Sequence, residues 1–245
     1  MKALVFAAGL GTRLKPLTDT LPKALVLING KPLLEHVLCK LIANGFDEII
    51  VNVHHFADQI IDFIENKNRF GVRIEISDER DALLETGGGI KKAAWFFDDG
   101  KPFLVHNVDI LSNIDLGALY NYHLGHKSIA TVVVSQRDTA RYLLFDKELR
   151  LDGWTNIKTG EVKSPFPALD IASCRPLAFS GIHVISPAIF NLMENWTGKF
   201  SVIDFYLAIA GKAEIKGFVP GNLKMIDVGK IDSLHDAELF LNSSL

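Results

Sequence analysis

Residues 3–7 (ALVFA) are a short, continuous apolar run that gives way at once to a glycine-rich segment. A run of this length without alternation suits a strand buried on both faces, the condition of a parallel strand feeding a loop. The pattern then repeats. Positions 33–44 (LLEHVLCKLIAN) place Leu34, Val37, Leu38, Leu41 and Ile42 at helical spacing, and Gly45 stops the helix. EIIVNV reads as a second buried strand, FADQIIDFIEN as an amphipathic helix and VRIEIS as a third strand. After a loop come ETGGGIKKAAWFF, a glycine-rich entry into a helix, and PFLVHNVD, a strand ending in polar residues. LGALYNYHLG is helical and IATVVVS is a strand. Short strands alternating with helices of about ten residues predict a three-layer α/β/α sandwich around a Rossmann-like mixed, mostly parallel sheet.

Residues 142–186 break the rhythm. YLLFD, LRLDGWTNI and the Thr159-Gly160 turn suggest hairpins, and Pro165, Pro167 and Pro176 mark an irregular stretch. LAFSGIHVI is then strand-like, VIDFYLAIAG helical, KMIDVG a strand end and IDSLHDAELFLN a closing helix. No repeat or clean boundary interrupts residues 1–245, which read as one domain. A hydrophobic content of 48% suffices for a sizeable core, and a net charge of -3 without charge runs argues against nucleic acid or an anionic membrane as partner. The N-terminal apolar run is too short for a signal peptide. No stretch reaches the ~18 apolar residues of a membrane span, so a soluble, cytoplasmic protein is expected. Cys39 and Cys174 lie far apart and read as reduced thiols. The sequence leaves open whether the chain is a monomer or a homo-oligomer.

The loop after the first strand reads Ala8-Gly9-Leu10-Gly11-Thr12-Arg13-Leu14-Lys15-Pro16, then Leu21-Pro22-Lys23. Glycines let the backbone approach a ligand closely and turn its amides toward anionic oxygens. Arg13 offers a bidentate grip on phosphate and Lys23 a mobile point charge. The dinucleotide fingerprint is set aside because Leu14 stands where it needs Gly or Ala, and no Gly-Lys-Ser/Thr run of a P-loop exists. For the glycines alone, a tight turn with no ligand is an equally good reading.

The full run, Ala7-Ala8-Gly9 through Thr18 followed by Pro22-Lys23, resembles the nucleotidyltransferase family of sugar-nucleotide pyrophosphorylases. The likeness continues in order through the strand at 48–54, the TGGG segment, the strand ending at Asp109, Phe179-Ser180-Gly181 and Ile226-Asp227-Val228-Gly229. It implies a GT-A-like nucleotidyltransferase fold with an acceptor-sugar subregion at roughly 110–215. It also implies that Ala7, Ala8 and Gly9 meet base and ribose, that Gly11, Thr12 and Arg13 hold a triphosphate, and that Lys23 touches phosphate near the reacting centre. Arg13 and Lys23 are the expected catalytic cations.

Asp109 and Asp227 each follow an apolar run, and ligands gather at the carboxyl ends of strands in an open α/β sheet. Either could simply cap a turn. The resemblance makes them the acids that share one Mg²⁺, an ion that takes few protein ligands and completes its shell with substrate and water. Asn107 is a nearby polar residue counted with the sugar site, and Asp115 reads as the N-cap of a helix at 116–124. The implied reaction is in-line attack by a sugar-phosphate oxygen on the α-phosphorus of an NTP, with release of pyrophosphate. A phosphate monoester is mostly dianionic at pH 7, its second pKa being near ~6, so no general base is expected.

Leu84-Glu85-Thr86-Gly87-Gly88-Gly89-Ile90 subdivides the family, because many relatives carry Gly where Glu85 stands. This segment is similar to the N-acetylmuramate 1-phosphate uridylyltransferases of cell-wall recycling, and the chain's length is the one expected of them. UTP and N-acetylmuramate 1-phosphate are therefore the favoured substrates, with GTP and mannose or heptose 1-phosphate as the alternative. Glu85 and Gly88 are expected at base or sugar, although a helix N-cap at Thr86 explains the segment equally well. Gly181 and Asp204 are expected at the acceptor sugar. The family's Glu-Lys-Pro sugar motif is not evident between 146 and 176. Trp154 could stack on a sugar, but an exposed hairpin aromatic packing locally is preferred. His54-His55 point to opposite faces of a strand end, and His123 with His126 lacks a third ligand, so structural roles are preferred for all four. A regulatory subunit without catalysis is disfavoured by the intact Arg13, Lys23, Asp109 and Asp227. A GT-A glycosyltransferase is disfavoured by Asn107-Val108-Asp109 in place of Asp-x-Asp.

Overall fold

A computed structural model describes residues 1–243. Along the chain come β1 (Lys2–Phe6), a ribbon of β2 (Leu27–Ile28) and β3 (Lys31–Pro32), α1 (Leu33–Ala43), β4 (Glu48–Val53), α2 (Ala57–Asn66) and β5 (Arg73–Asp78). Next are α3 (Glu85–Lys92), β6 (Phe103–Asn107), β7 (Ile110–Ser112), α4 (Leu116–Gly125) and β8 (Ala130–Ser135). The irregular stretch holds β9 (Arg141–Phe145), β10 (Leu151–Asn156) and β11 (Glu161–Lys163). The last elements are β12 (Arg175–Ile185), α5 (Ile189–Leu192), α6 (Val202–Ile209), β13 (Ile215–Phe218), β14 (Met225–Asp227) and α7 (Asp232–Ser243). The chain divides into two compact units. Unit 1 is Met1–Leu83, Val105–Leu116 and the chain from Leu223 on; unit 2 is Leu84–Leu104 and Gly117–Asn222.

In unit 1, β1 pairs parallel with β4 from Lys2 opposite Glu48 to Phe6 opposite Asn52, and β4 pairs parallel with β5. Ala3, Leu4, Val5, Ile49, Ile50 and Val51 are all fully buried, which is why these strands read as unbroken apolar runs. Helix α1 buries Leu33, Leu34, Val37, Leu38 and Leu41 as one stripe. Each such side chain contributes about 1.5–3 kcal/mol on leaving water. The helix ends at Asn44, and Gly45 follows at φ +81°, the left-handed conformation that glycine adopts without steric cost. An antiparallel ribbon of β7 and β14 puts Asp227 opposite Ile110.

Unit 2 is built around β12, which pairs antiparallel with β8 on one side and β9 on the other. β9, β10 and β11 form an antiparallel meander, and β13 runs parallel to β8. The expected α/β class holds, with parallel pairing of β1, β4 and β5 in unit 1 and mainly antiparallel pairing in unit 2. The hairpins expected where the rhythm breaks are β9–β11. Among the described residues no helix is long and apolar enough to cross a membrane.

Candidate active site

Unit 1 gathers the glycine-rich loop, two cations and two carboxylates. Ala7 continues the ladder beyond β1, its N–H donating to the Asn52 carbonyl at 3.0 Å, and both Ala7 and Ala8 are buried. Gly11 lies at φ +64°, and a Cβ there would sit 2.8 Å from Thr18 Cγ2, so conformation and space both demand glycine. The Thr18 hydroxyl and the Leu14 N–H both donate to the Gly11 carbonyl at 2.8 Å, folding the loop back on itself. Gly9 has open space around it, and Thr12 and Arg13 occupy an exposed single turn.

Lys23 opens another single turn and is only 8% exposed. Its ammonium donates to Asp109 Oδ2 in a close ion pair. The Val228 N–H donates to the Asp109 backbone carbonyl at 2.8 Å, so β14 delivers Asp227 beside Asp109. Gly229 completes the corner: a Cβ there would lie 2.7 Å from Asp227 Oδ1 and 2.9 Å from Arg13 Nη2. Arg13 and Asp227 therefore converge on a point that a side chain would fill. All four expected charged residues meet in this unit.

Among the described residues no group of three or more His, Cys, Asp or Glu could hold a metal. Two adjacent hard-oxygen carboxylates, one of them already bearing a cation, suit an ion that keeps substrate and water in its shell. They do not suit a closed cage of nitrogen and sulfur ligands. Asn107 ends β6, half-buried, and its backbone carbonyl accepts from His106 Nδ1 at 2.8 Å. His106 itself is buried, which pushes its pKa down to about 4, so the ring is neutral. Asp115 directly precedes α4.

Unit 2 places Glu85, Asp204 and Trp154 around a cavity of about 610 Å³. Glu85 is the first residue of α3 and lies at φ +59°, which explains why glycine is natural there. Its carboxylate is 3.4 Å from Lys199 Nζ. Asp204, in the first turn of α6, accepts from Lys163 Nζ at 3.0 Å. Lys163 also lies over the Trp154 ring, 5.3 Å from its centroid. Trp154 is half-buried and lines the cavity, so the exposure expected of it is corrected, whereas the expected local packing is present in its contact with Lys163. The meander holds it on the same face as Lys163, directly opposite in register.

Thr86 needs a second correction, because it lies inside α3 and is not its N-cap. Its hydroxyl oxygen accepts from the Val202 N–H at 3.0 Å and so satisfies the start of α6. Gly87 and Gly88 are buried by close packing. A Cβ on Gly87 would lie 2.4 Å from Phe200 Cδ2, and one on Gly88 2.5 Å from the Gly198 carbonyl oxygen. Gly88 thus faces backbone. Gly181 sits at φ +71° where β12 shifts register against β8, and glycine is what permits the bulge.

The histidines are structural. Buried His123 lies between Thr131 Oγ1 and Ser186 Oγ, each at 2.9 Å, and His126 Nδ1 donates to the Tyr122 carbonyl. His54 Nδ1 donates to the Glu79 carbonyl. Both cysteines are free. Sequence reasoning missed Arg137 and Arg141, which also line the unit 2 cavity. The RYLLF run of β9 shows no polar–apolar alternation that would mark Arg141. Assigning its face required the register with β10.

A model of the nucleotidyl transferase family matches residues 2–146. The N-acetylmuramate alpha-1-phosphate uridylyltransferase of Caulobacter vibrioides is 33% identical over 231 residues, 91% of this chain and 90% of that protein. The enzyme of the same name from Neisseria meningitidis serogroup B is 35% identical over 201 residues, 79% of each. Among solved structures, HddC from Yersinia pseudotuberculosis complexed with GMP-PN superposes with a TM-score of 0.76 at 25% identity, covering 98% of this chain and 99% of that one. The glycine-rich loop, the convergent charges and these likenesses agree: the chain belongs to the nucleotidyl transferase family.

Proposed function

We propose that the protein condenses an NTP with a sugar 1-phosphate to give an NDP-sugar and pyrophosphate, with UTP and N-acetylmuramate 1-phosphate as the favoured pair. The observation that carries this reading is the convergence of Arg13, Lys23, Asp109 and Asp227 beside the left-handed turn at Gly11. The two N-acetylmuramate alpha-1-phosphate uridylyltransferases, similar over most of their length, support the choice of base and sugar. The GMP-PN complex of HddC supports a second reading in which GTP is the donor.

In this reading the dianionic sugar phosphate supplies the nucleophile without a base. One of its oxygens bonds to the α-phosphorus as the bond from that phosphorus to the β-phosphate oxygen breaks, and pyrophosphate leaves with the electron pair. The obstacle is repulsion between anions, and fixed cations lower it. Ala7, Ala8 and Gly9 receive base and ribose. The Gly11 and Thr12 backbone with the Arg13 fork holds the triphosphate, and Lys23 neutralises charge at the reacting phosphates. Asp109 and Asp227 hold Mg²⁺, which when bound screens the phosphate oxygens. In unit 2, Glu85 and Asp204 offer acceptors for ligand hydroxyl or amide groups, as does Asn107 in unit 1. Gly181 supplies backbone close to the sugar, and Gly88 allows the tight seat of α3. A cytoplasmic location in cell-wall recycling belongs to the same reading.

Pyrophosphate release from each NTP paired with a panel of sugar 1-phosphates and Mg²⁺ tests it. Turnover is expected to be fastest with UTP and N-acetylmuramate 1-phosphate. GTP with mannose or heptose 1-phosphate as the best pair would install the second reading. NTP binding without turnover by any pair would reduce the chain to a regulatory subunit.

A further inference from the structure

Six charged side chains line the unit 2 cavity, three of each sign, and its carboxylates are engaged by lysines rather than by the two arginines. Lys163 is matched by Asp204 at 3.0 Å and Glu161 at 3.8 Å, and Glu85 by Lys199 at 3.4 Å. Arg137 and Arg141 remain. Arg137 donates from Nη2 to the Phe179 carbonyl at 3.0 Å, a contact that anchors one arm of the fork to β12 without cancelling its charge. Among the described residues Arg141 has no carboxylate partner.

Register explains why. Side chains directly opposite across a sheet share a face, and neighbouring strands are about 4.8 Å apart. Arg141 is opposite Asn156, and Asn156 is opposite Glu161, so the nearest carboxylate along that row lies two strands away. The parallel row runs Leu143, Trp154, Lys163 and ends in the ion pair with Asp204. The segment bearing both arginines is also held in shape. The Arg141 N–H donates to Thr139 Oγ1 at 3.4 Å, and the Thr139 N–H donates to the Tyr142 hydroxyl at 3.1 Å. Two guanidinium groups four residues apart thus border one cavity that Trp154 also lines. Guanidinium forks match planar carboxylates in a bidentate way, better than they match a neutral sugar edge.

We propose that Arg137 and Arg141 read the carboxylate of an acidic acceptor sugar, and so select the lactyl ether acid of N-acetylmuramate over its neutral parent, N-acetylglucosamine. This assignment rests on the proposed function for its choice of ligand. Arg141 supplies the principal contact, and Arg137, already tied to Phe179, supports it.

The shared anion chemistry has a second source, the acceptor's own phosphate, and the test separates the two. With UTP and Mg²⁺, kcat/KM is measured for N-acetylmuramate 1-phosphate and N-acetylglucosamine 1-phosphate in the wild type, Arg141→Gln, Arg141→Lys and Arg137→Gln. Loss of a charged hydrogen bond is expected to lower the acid-to-neutral ratio about 10- to 100-fold in Arg141→Gln, chiefly through KM. Arg141→Lys should recover part of it, and Arg137→Gln should show a smaller drop. Equal losses for both acceptors would assign the arginines to the phosphate and overturn the proposal, as would an unchanged ratio. Calorimetry with free N-acetylmuramate and free N-acetylglucosamine, neither of which carries phosphate, gives an arm independent of catalysis. Arginine-dependent, salt-sensitive binding of the free acid alone sustains the proposal even if no pair turns over and the functional reading fails. Binding of the free acid that ignores both substitutions, or no binding of it at all, overturns it.

Discussion

Unit 1 and unit 2 present charge in different ways. In unit 1 the charged groups stand at turns and strand ends: Lys23 opens a single turn, Asp109 lies just beyond β6, and Asp227 ends β14. Their spacing in sequence is wide, yet backbone bonds such as Val228 N–H to the Asp109 carbonyl fix them together. In unit 2 the charged groups stand on the face of an antiparallel meander, where strand register selects which side chains share a row. The first arrangement suits a reaction centre, in which a few groups must hold fixed positions. The second suits recognition, because one exchanged residue alters the face and leaves the scaffold intact. The difference suggests that reaction type and substrate choice are carried by separately adjustable parts of the chain.

The largest expected effect tests that separation. Asp109→Asn keeps the side chain's size but removes the carboxylate that pairs with Lys23 and that the proposed function assigns to the metal. Turnover should fall about 1,000-fold or more, while calorimetric binding of free N-acetylmuramate stays near the wild-type value. A parallel loss of sugar binding would erase the distinction between the units.

Acid should weaken both units, unit 2 the more. Burial lowers His106 in unit 1 to about 4, and His123 and His183 in unit 2 to about 4 and about 3. These rings are neutral when folded, whereas the unfolded chain protonates them below its ordinary value of 6.5. The unfolded state therefore binds more protons in this window, and stability present above pH 6.5 is lost as pH falls toward about 4. Each ring represents on the order of 3 to 5 kcal/mol at full loss. Urea unfolding at pH 7 and pH 4.5, followed by hydrogen exchange, should show lower stability at the acid pH and earlier loss of protection in β8 and β12 than in β1 and β4. Equal stability at the two pH values would contradict this.

Gly88→Ala would drive a methyl group to within 2.5 Å of the Gly198 carbonyl oxygen, which as backbone cannot swing aside. Overpacking of this kind costs about 1–3 kcal/mol. Chemical denaturation should register the loss, and a neutral result would mean that the 196–200 segment yields. Glu85→Gly gives the smallest effect and the opposite sign. Relief of the left-handed φ at Glu85 should stabilise the chain by about 1 kcal/mol. It should also raise KM for the acceptor if the carboxylate touches the sugar. A higher Tm with unchanged KM would assign Glu85 to no ligand.

What could be read in advance follows the same division. The unit 1 strands announce themselves through unbroken apolar runs; Asp109 and Asp227 stand where such runs end, and Arg13 and Lys23 lie in the segment marked by glycine and proline after β1. Such breaks are local in sequence and survive without coordinates. Arg141 is different. Its place in the cavity depends on β9 pairing with β10 through a register that shifts between Leu151 and Gly153. A slip of one residue would turn it to the other face. Thr86 misled for a related reason, since the amide it satisfies belongs to Val202, more than a hundred residues away. Composition and periodicity carry no trace of such a partner.

The ribbon of β7 and β14 also has a consequence for synthesis. Ile110 can meet Asp227 only after the intervening chain has emerged, and closing so long a loop sets pairing late in folding. At about 5–20 residues per second, roughly ten seconds separate the appearance of the first aspartate from that of the second. β1, α1 and β4 can therefore be complete while the acidic pair is still absent. A nascent chain in that interval can hold a finished glycine-rich loop while the two carboxylates of the candidate site are still apart, and they come together only once β14 has emerged.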